Sequence, residues 1–223
     1  MTENARAGKL VVISGFSGVG KGTVVNRLLS DYDHYTLSVS MTTRKPREGE
    51  VHGVNYYFVS NEEFEEMIGN GGLLEHAGYA DHYYGTPRSF VEENMAKGKD
   101  VILEIEVQGG AQVKAIYPDT ISIFIVPPSA QELVRRLVDR PDQSIDFDTV
   151  QKRLRTALRE SADIGRYDAM LINDTGKAEE CADAIEHIME TGDVSGHAPD
   201  LTFVEKFKRE LEAIIERREK ERN

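Results

Sequence analysis

Gly15-Phe-Ser-Gly-Val-Gly-Lys-Gly-Thr23 is the stretch of sequence that decides the fold. The apolar run KLVVIS directly before it, at residues 9–14, is typical of a short buried parallel strand. Residues 22–29, which follow, carry apolar side chains at helical spacing and predict a helix. A buried strand, a glycine-rich turn and a helix in this order predict the start of an α/β domain.

The glycine-rich turn has the chemistry of a phosphate-binding loop, or P-loop. Its glycines let successive backbone N–H groups point at phosphate oxygens, and the N-terminus of the following helix adds a favourable dipole. The ammonium group of Lys21 would reach the β- and γ-phosphates of a nucleotide. The alternative is an ordinary strand-to-helix turn, but the lysine and the flanking elements favour phosphate binding. The residues predicted to bind the nucleotide are Gly15, Phe16, Ser17, Gly18, Val19, Gly20, Lys21, Gly22 and Thr23.

One position of this loop differs from the usual P-loop pattern. Gly22 follows Lys21, where a serine or threonine usually ligates magnesium. Thr23 comes one residue later and is not expected to point at the metal. We therefore expect Mg²⁺ to be held by nucleotide oxygens and water, with the carboxylate of Glu104 contacting those waters at most.

Further buried strands are predicted at residues 101–106, 121–126 and 168–173, with helices between them. Alternating strands and helices predict a three-layer P-loop core, in which helices cover both faces of a parallel sheet.

Two helix starts are marked by local signals. Thr86 and Pro87 suit an N-cap and a first helical residue, and Gly98 suits the end of that helix. Ser129 and Glu132 have the spacing of a capping box before the next apolar run.

Residues 38–87 have a different composition, rich in Tyr, Thr and Val with turn residues between, and predict a small mixed-β insertion. Ser60 and Glu63 predict one short helix within it. Residues 139–148 are polar and contain a proline, which predicts a mobile surface segment. The predicted organisation is a first domain at 1–196, with a core at 8–37, 88–135 and 154–190, the insertion at 38–87 and a short lid at 136–153, followed by a C-terminal amphipathic helix at 197–223.

The C-terminal helix carries one apolar stripe, made of Phe203, Val204, Phe207, Leu211, Ile214 and Ile215. Such a stripe must be buried, either against its own domain or against a second subunit. The sequence leaves both alternatives, and with them the choice between a monomer and a homo-oligomer, open.

Composition excludes several classes of protein. The chain of 223 residues is 39% hydrophobic and 30% charged, which is typical of a soluble globular protein. Its net charge of −12 argues against general binding to nucleic acid or to anionic membranes. It has no run of about 20 apolar residues and no apolar secretory signal. Cys181, the single cysteine, fits a buried structural thiol in a reducing compartment, and we expect a cytoplasmic protein.

A second group of motifs resembles the guanylate kinases. The substrate-binding segment of that family is similar to Ser38-Val-Ser-Met-Thr-Thr-Arg-Lys-Pro-Arg47 and to Gly49-Glu-Val-His-Gly-Val-Asn-Tyr56. The pair Leu74-Glu75, the stretch His82-Tyr-Tyr-Gly-Thr86 and the stretch Ile102-Leu-Glu-Ile-Glu-Val-Gln-Gly109 also match. The resemblance runs from about residue 10 to residue 174 with little need for gaps, and several motifs in order are far more specific than a P-loop alone.

The resemblance implies a Mg²⁺-dependent transferase of purine nucleotide metabolism that phosphorylates GMP to GDP with ATP. It implies that the GMP contacts are Ser40, Arg44, Arg47, Tyr56, Glu75, Tyr84 and Thr86, together with Glu104 and Glu106. It implies that Asn173 lies near the adenine of ATP. With Lys21 and Arg44, the implied catalytic residues are the arginines facing the transferred phosphoryl group, Arg136, Arg140 and Arg153.

Two segments depart from the family pattern. The family usually has Asp-Ile-Asp where this chain has Glu104-Ile-Glu106. In the lid, Arg140 is followed by Pro141-Asp142, where glycine is usual.

The residues also make chemical sense by themselves. Guanidinium groups bind phosphate oxygens bidentately, so Arg44 and Arg47, with the hydroxyls of Tyr56 and Tyr84, favour an anion site over a solvated basic loop. Guanine presents N1–H and the exocyclic amine as adjacent donors, and one carboxylate, Glu75, can accept both. The hydroxyls of Ser40 and Thr86 could donate to guanine O6. By itself Glu75 would be taken for a surface carboxylate.

Period-two spacing places Glu104 and Glu106 on one face of a strand, where they would need a metal or arginine partner. The alternative is a strand end that reaches solvent, where the two carboxylates would need none.

Three other functions would each fit part of the sequence. A P-loop kinase for another phosphorylated substrate is disfavoured by Glu75 with Ser40 and Thr86. A guanylate-kinase-like module that binds protein ligands without catalysis would tend to lose the phosphate loop, which is intact here. A GTPase-like switch would need an Asn-Lys-x-Asp motif, which is not visible in the chain.

Overall fold

The computed structural model describes residues 6–79, 81–139 and 146–222. It divides into two compact units: the first contains residues up to Val12 and Leu29–Ile121, and the second contains Ile13–Leu28 and the residues from Ser122 onward. Strand β1 (Leu10–Gly15) runs through both units. No helix within the described ranges has the length and apolar content needed to cross a membrane.

The first unit has a small parallel sheet. Strand β2 (Tyr35–Leu37) pairs with β7 (Asp100–Glu104) in a register that sets Thr36 opposite Val101. The other edge of β7 lies beside the first half of β1, and Val101 N–H donates to the Lys9 carbonyl oxygen at 2.8 Å. Residues 101–103 are buried, as the apolar run predicted.

A second, mixed sheet in the same unit is the predicted β insertion. Its strand order is β4-β3-β6-β5. The strands are β3 (Met41–Thr42), β4 (Tyr57–Phe58), β5 (Leu73–Tyr79) and β6 (His82–Pro87). Met41, Phe64 and Leu73 form its small core. Strands β3 and β4 are parallel, whereas β6 is antiparallel to both β3 and β5.

Three helices complete the first unit: α2 (Asn61–Gly69), α3 (Arg88–Ala96) and α4 (Val107–Ile116). Ser60 and Glu63 form the complete capping box of α2, as predicted. The predicted start of α3 was one residue early. Pro87 is the N-cap, and Thr86 is buried in β6, because the sheet pairs Thr86 with Glu75.

The second unit has its own parallel strands. The second half of β1 lies beside β8 (Ile121–Val126), which pairs with β9 (Ala169–Ile172) and sets Phe124 opposite Met170. Helix α1 (Lys21–Asp31) follows the phosphate loop directly. The remaining helices of the core are α5 (Ala130–Val138), α6 (Phe147–Glu160) and α7 (Ala178–Thr191).

Half of the capping box predicted for α5 is present. The Ser129 hydroxyl accepts a hydrogen bond from Glu132 N–H at 3.1 Å. The Glu132 carboxylate does not close the box, because it binds Arg135 and Arg136 instead.

The C-terminal helix, α8 (Leu201–Arg222), packs within the second unit. It contacts α5, α6 and the short 3₁₀ helix Ser161–Arg166. The stripe residues Val204, Phe207, Leu211, Ile214 and Ile215 are buried there, which is the first of the two alternatives for this helix.

Candidate active site

The phosphate loop lies between β1 and α1, as predicted. Gly20 has φ +93°, a left-handed conformation that favours glycine. A Cβ atom at this position would also lie 2.7 Å from Nδ2 of Asn173, so both conformation and space require glycine. The carbonyl oxygen of Gly20 then accepts from Thr23 N–H and Val24 N–H and begins helix α1.

Lys21 is the first residue of α1 and is half-buried. Its Nζ donates to the carbonyl oxygen of Gly15 at 2.5 Å, and Phe16 O lies at 3.5 Å. These contacts hold the ammonium group across the loop whose N–H groups are predicted to bind phosphate. Ser17, Gly22 and Thr23 are exposed, whereas the Phe16 ring is fully buried.

Two side chains stabilise the loop by hydrogen bonds to the carbonyl oxygen of Val19. Asn173 Nδ2 donates to this oxygen at 2.8 Å, and Arg136 Nη1 donates to it at 2.9 Å. Asn173 is buried after β9, and the amide is in contact with the loop itself. Its predicted position near adenine stays a prediction.

Arg136 is engaged on several sides. Its Nε donates to Glu132 at 2.7 Å, and its Nη2 donates to the Asn173 carbonyl at 2.9 Å and to the Thr175 hydroxyl at 3.2 Å. The pKa of Glu132 is strongly lowered, chiefly by its hydrogen bonds to Arg135 and then by those to Thr175 and Arg136. The predicted contact of Arg136 with the transferred phosphoryl group would therefore compete with these protein partners.

The rest of the predicted lid is described in part. Residues 140–145 lie outside the described residues, so the prediction for Arg140 does too. Arg153 lies on α6 and is half-buried.

The first unit holds a buried carboxylate at the pairing of β5 and β6. Glu75 lies directly opposite Thr86, and the Thr86 hydroxyl donates to Glu75 Oε1 at 2.7 Å. The other oxygen, Oε2, faces Gly109 in α4, where a Cβ atom would approach it to 2.4 Å. Gly109 is therefore needed for space. Ser40 comes one residue before β3, beside the end of β6 that carries Thr86, since Met41 pairs with Gly85.

Burial raises the pKa of Glu75, and the hydrogen bond from Thr86 lowers it in part. Only 5% of this residue is exposed. A carboxylate at this depth with one side-chain donor still has acceptor capacity, and a ligand that brings two N–H donors would satisfy it.

A cationic and aromatic cluster in the same unit is formed by the loop between β3 and β4 together with strands β4 and β6. The Arg44 guanidinium carbon lies 5.4 Å from the ring centre of Tyr56 and 5.7 Å from that of Phe58. The rings of Tyr56 and Tyr84 meet edge to face at 5.9 Å. The pKa of Tyr56 is raised, mostly by burial and then by the charges of Tyr84 and Glu104. The predicted phosphate-binding residues Arg44, Tyr56 and Tyr84 therefore do come together.

Glu50 is the residue of this cluster that sequence reasoning missed. Its carboxylate accepts from both terminal nitrogens of Arg44 at 2.9 Å and from Arg47 N–H at 2.7 Å. The Arg47 side chain is exposed. The signal in the sequence was weak: one acid placed three residues after Arg47 in a loop that also contains Glu48.

The prediction of two carboxylates on one strand face was wrong. Strand β7 ends at Glu104, and Glu106 is the N-cap residue of α4. Glu104 is half-buried and Glu106 is exposed, so the strand end reaches solvent and neither acid needs a buried partner. Among the described residues, no three His, Cys, Asp or Glu side chains come together in a way that could hold a metal ion.

A phosphate loop with its lysine on a parallel α/β sheet, and an inserted mixed sheet with a cationic cluster and a buried carboxylate, define a P-loop kinase that acts on nucleoside monophosphates. Comparison with known proteins agrees. Residues 7–192 match the family model described as guanylate kinase. The chain is 44% identical over 206 residues to a guanylate kinase of Clostridioides difficile, covering 92% of this chain and 98% of that protein.

Two further relatives point the same way. A guanylate kinase of Bacillus cereus is 50% identical over 171 residues, which cover 76% of this chain and 82% of that one. A crystal structure of guanylate kinase from Anaplasma phagocytophilum superposes with a TM-score of 0.67 at 36% identity, covering 84% of this chain and 87% of that one. The chain belongs to the guanylate kinase family.

Proposed function

We propose that this protein transfers the γ-phosphoryl group of ATP to GMP, giving ADP and GDP. The observation that carries the choice of base is the buried Glu75 carboxylate, which holds one hydroxyl donor from Thr86 and faces the space left by Gly109. Guanine would supply N1–H and the exocyclic amine as two adjacent donors to this carboxylate. Adenine has an acceptor at N1, which a carboxylate repels.

The phosphate of GMP is proposed to bind at the cluster of Arg44, Tyr56 and Tyr84. This cluster lies in the same unit as Glu75, and an arginine fork with phenolic hydroxyls suits a phosphate group. The second pKa of a phosphomonoester is about 6, so the attacking oxygen is largely ionised at neutral pH and needs no general base. The task of the protein is to position two polyanions in line and to neutralise their charge.

ATP is proposed to bind at the loop Gly15–Thr23, with Lys21 neutralising charge on the transferred group. We expect the nucleotide to supply most of the oxygen ligands of magnesium. Gly22 has no hydroxyl and Thr23 is exposed, and the described residues form no cluster of three metal-binding side chains. Bound Mg²⁺ would neutralise the β- and γ-phosphate oxygens. The loop N–H groups and Lys21 would hold the same phosphates. The contact of the Glu104 carboxylate with metal-bound waters stays a prediction.

The proposed place of this reaction is the cytoplasm, a reducing compartment. Cys181 is a free, buried thiol, and burial raises its pKa to about 12. Such a thiol is inert at neutral pH and is consistent with a structural role. ATP and GMP are the proposed partners.

A substrate panel tests the proposal. Initial rates of ADP formation with ATP and Mg²⁺ would be measured against GMP, IMP, AMP, CMP and UMP. We expect GMP to have the highest kcat/KM and AMP to be rejected by as much as ~10⁴-fold, because adenine cannot supply the two N–H donors that the buried Glu75 carboxylate would accept from guanine. Preference for another monophosphate would contradict the assignment of the substrate, and no turnover with any of them would contradict the assignment as an enzyme.

A further inference from the structure

The Glu50 carboxylate accepts hydrogen bonds from both arginines that are predicted to bind the GMP phosphate. Glu50 lies in the loop between β3 and β4, and its two oxygens accept from Nη1 and Nη2 of Arg44 at 2.9 Å each. The same residue bonds Arg47 in both directions: Glu50 Oε2 accepts from Arg47 N–H at 2.7 Å, and Glu50 N–H donates to Arg47 O at 3.1 Å.

We propose that Glu50 is a positioning residue, which orients the guanidinium of Arg44 for the phosphate of the acceptor nucleotide. This inference rests on the function proposed above. It concerns the residues that bind the phosphate of GMP, whereas Glu75 is proposed to bind the base.

The edge of the guanidinium that Glu50 occupies supports this role. An arginine has an end edge, with one N–H from each terminal nitrogen, and a side edge, with Nε–H and the second Nη2–H. Glu50 takes the end edge, and the Lys45 carbonyl accepts the other Nη1–H at 2.7 Å. These three bonds do not use the side edge, which has the spacing to hold two oxygens of one phosphate.

Burial and neighbouring aromatic rings fix the orientation of the Arg44 guanidinium. Only 12% of the Arg44 side chain and 18% of the Glu50 side chain are exposed, so the pair is shielded from competing water. The guanidinium also lies over the rings of Tyr56 and Phe58. The Tyr84 hydroxyl interacts with the same guanidinium and contributes to its raised pKa, after the larger contribution of Glu50. Tyr84, another residue predicted to bind the phosphate, therefore lies beside the guanidinium that Glu50 orients.

The opposite role would be that of a competitor, in which Glu50 must leave before the phosphate binds. The two roles predict effects of opposite sign. A negative charge next to a dianion disfavours binding, so removal of the charge alone should strengthen the binding of GMP. Loss of a positioning contact should weaken it.

The test is Glu50→Gln, with Glu48→Gln as the matched control. Glu48 is exposed in the same loop, so its replacement removes the same charge. Dissociation constants for GMP and for guanosine, which lacks the phosphate, would be measured by calorimetry, together with the KM for GMP. We expect Glu50→Gln to raise the Kd and KM for GMP about tenfold, since charge-assisted paired bonds to an arginine are lost. The Kd for guanosine should stay within about twofold, and Glu48→Gln should resemble the wild type.

Each other outcome counts against the proposal. Unchanged GMP binding in Glu50→Gln would overturn it. Tighter GMP binding would overturn it too, and would show that Glu50 competes with the phosphate for Arg44. Equal weakening of GMP and guanosine would show a general loss of structure and would also overturn it. These outcomes are separate from failure of the proposed function, which would appear as a lack of GMP binding or turnover in the wild-type protein.

Discussion

The ring of Phe16, in the phosphate loop, stacks on the ring of Phe207 in the C-terminal helix, with centroids 5.2 Å apart and planes 4° apart. Phe16 also meets Phe124 of β8 edge to face at 5.1 Å. The family match ends at residue 192, so α8 lies outside it. The helix nevertheless supports a residue of the predicted ATP site directly.

Phe207→Ala should therefore act on both stability and nucleotide binding. Removing a buried phenylalanine costs about 3–5 kcal/mol of unfolding free energy, and Phe207 is 2% exposed. We expect the KM for ATP to rise several-fold, with the preference for GMP over IMP unchanged. Urea denaturation and steady-state kinetics measure the two effects. Phe203→Ala is the control, since Phe203 is half-buried and stacks on Phe207 at 6.0 Å. An equal effect of both replacements would argue against a special role for the Phe16 contact.

Glu75→Gln should reduce selectivity for the base. The amide places one donor where guanine also has a donor, so kcat/KM for GMP should fall by roughly 10²-fold or more. IMP, which keeps N1–H but lacks the amine, should lose less, and the gap between GMP and IMP should narrow. Kinetics with both monophosphates in both proteins measure this. Glu65→Gln, on the exposed face of α2, is the control for charge. An unchanged GMP to IMP ratio would show that Glu75 does not contact the guanine edge.

The raised pKa of Glu75 predicts two effects of pH. The folded protein holds the proton more tightly than the unfolded chain, so the ionised carboxylate reduces stability above the folded pKa. At neutral pH, Glu75→Gln should therefore melt at a higher temperature than the wild type, and this gain should shrink as pH falls through the raised pKa. GMP binding by the wild type should weaken over the same acidic range, because the protonated acid loses an acceptor. Melting curves from pH 4 to 8 measure the first effect, and a constant difference across this range would contradict it.

Lys21→Met should reduce turnover far more than binding. The ammonium group is held across the phosphate loop by Gly15 O, where it would meet charge that develops during transfer. Loss of one such group typically lowers kcat by about 10²–10³-fold. The Kd for GMP should change little, since its predicted site lies in the other unit. Lys220→Met, at an exposed position of α8, removes the same charge as a control. Near-normal turnover in Lys21→Met would contradict the role of the loop.

Elements with strong local signals were predictable from the sequence. The apolar run at residues 121–126 coincides with β8, and the capping box at Ser60 begins α2. The glycine pattern with Lys21 predicted the position of the loop between β1 and α1, because all of these residues are close together in the sequence. Family motifs suggested that Glu75 and Thr86 belong to one site, and the register of β5 and β6 sets the two residues opposite each other.

Contacts between distant residues could not be predicted in this way. Asn173 and Val19 are 154 residues apart, so no spacing indicates that one braces the other. Glu132 fitted a capping box, but the nearby Arg135 and Arg136 are stronger partners for a carboxylate than a backbone N–H. Alternation predicted the strand that contains Glu104, but periodicity does not say where a strand ends.

Gly109 has a consequence for protein engineering. Replacing glycines in helices with alanine is a usual route to thermostability, worth up to about 1 kcal/mol each. Gly69 in α2 suits this treatment, since an added Cβ would meet nothing within 4 Å. At Gly109 the same substitution would press a methyl group against Glu75 Oε2. A design program guided by helix propensity alone would choose both positions, and at the second it would gain a more regular helix at the expense of the carboxylate proposed to bind the nucleobase.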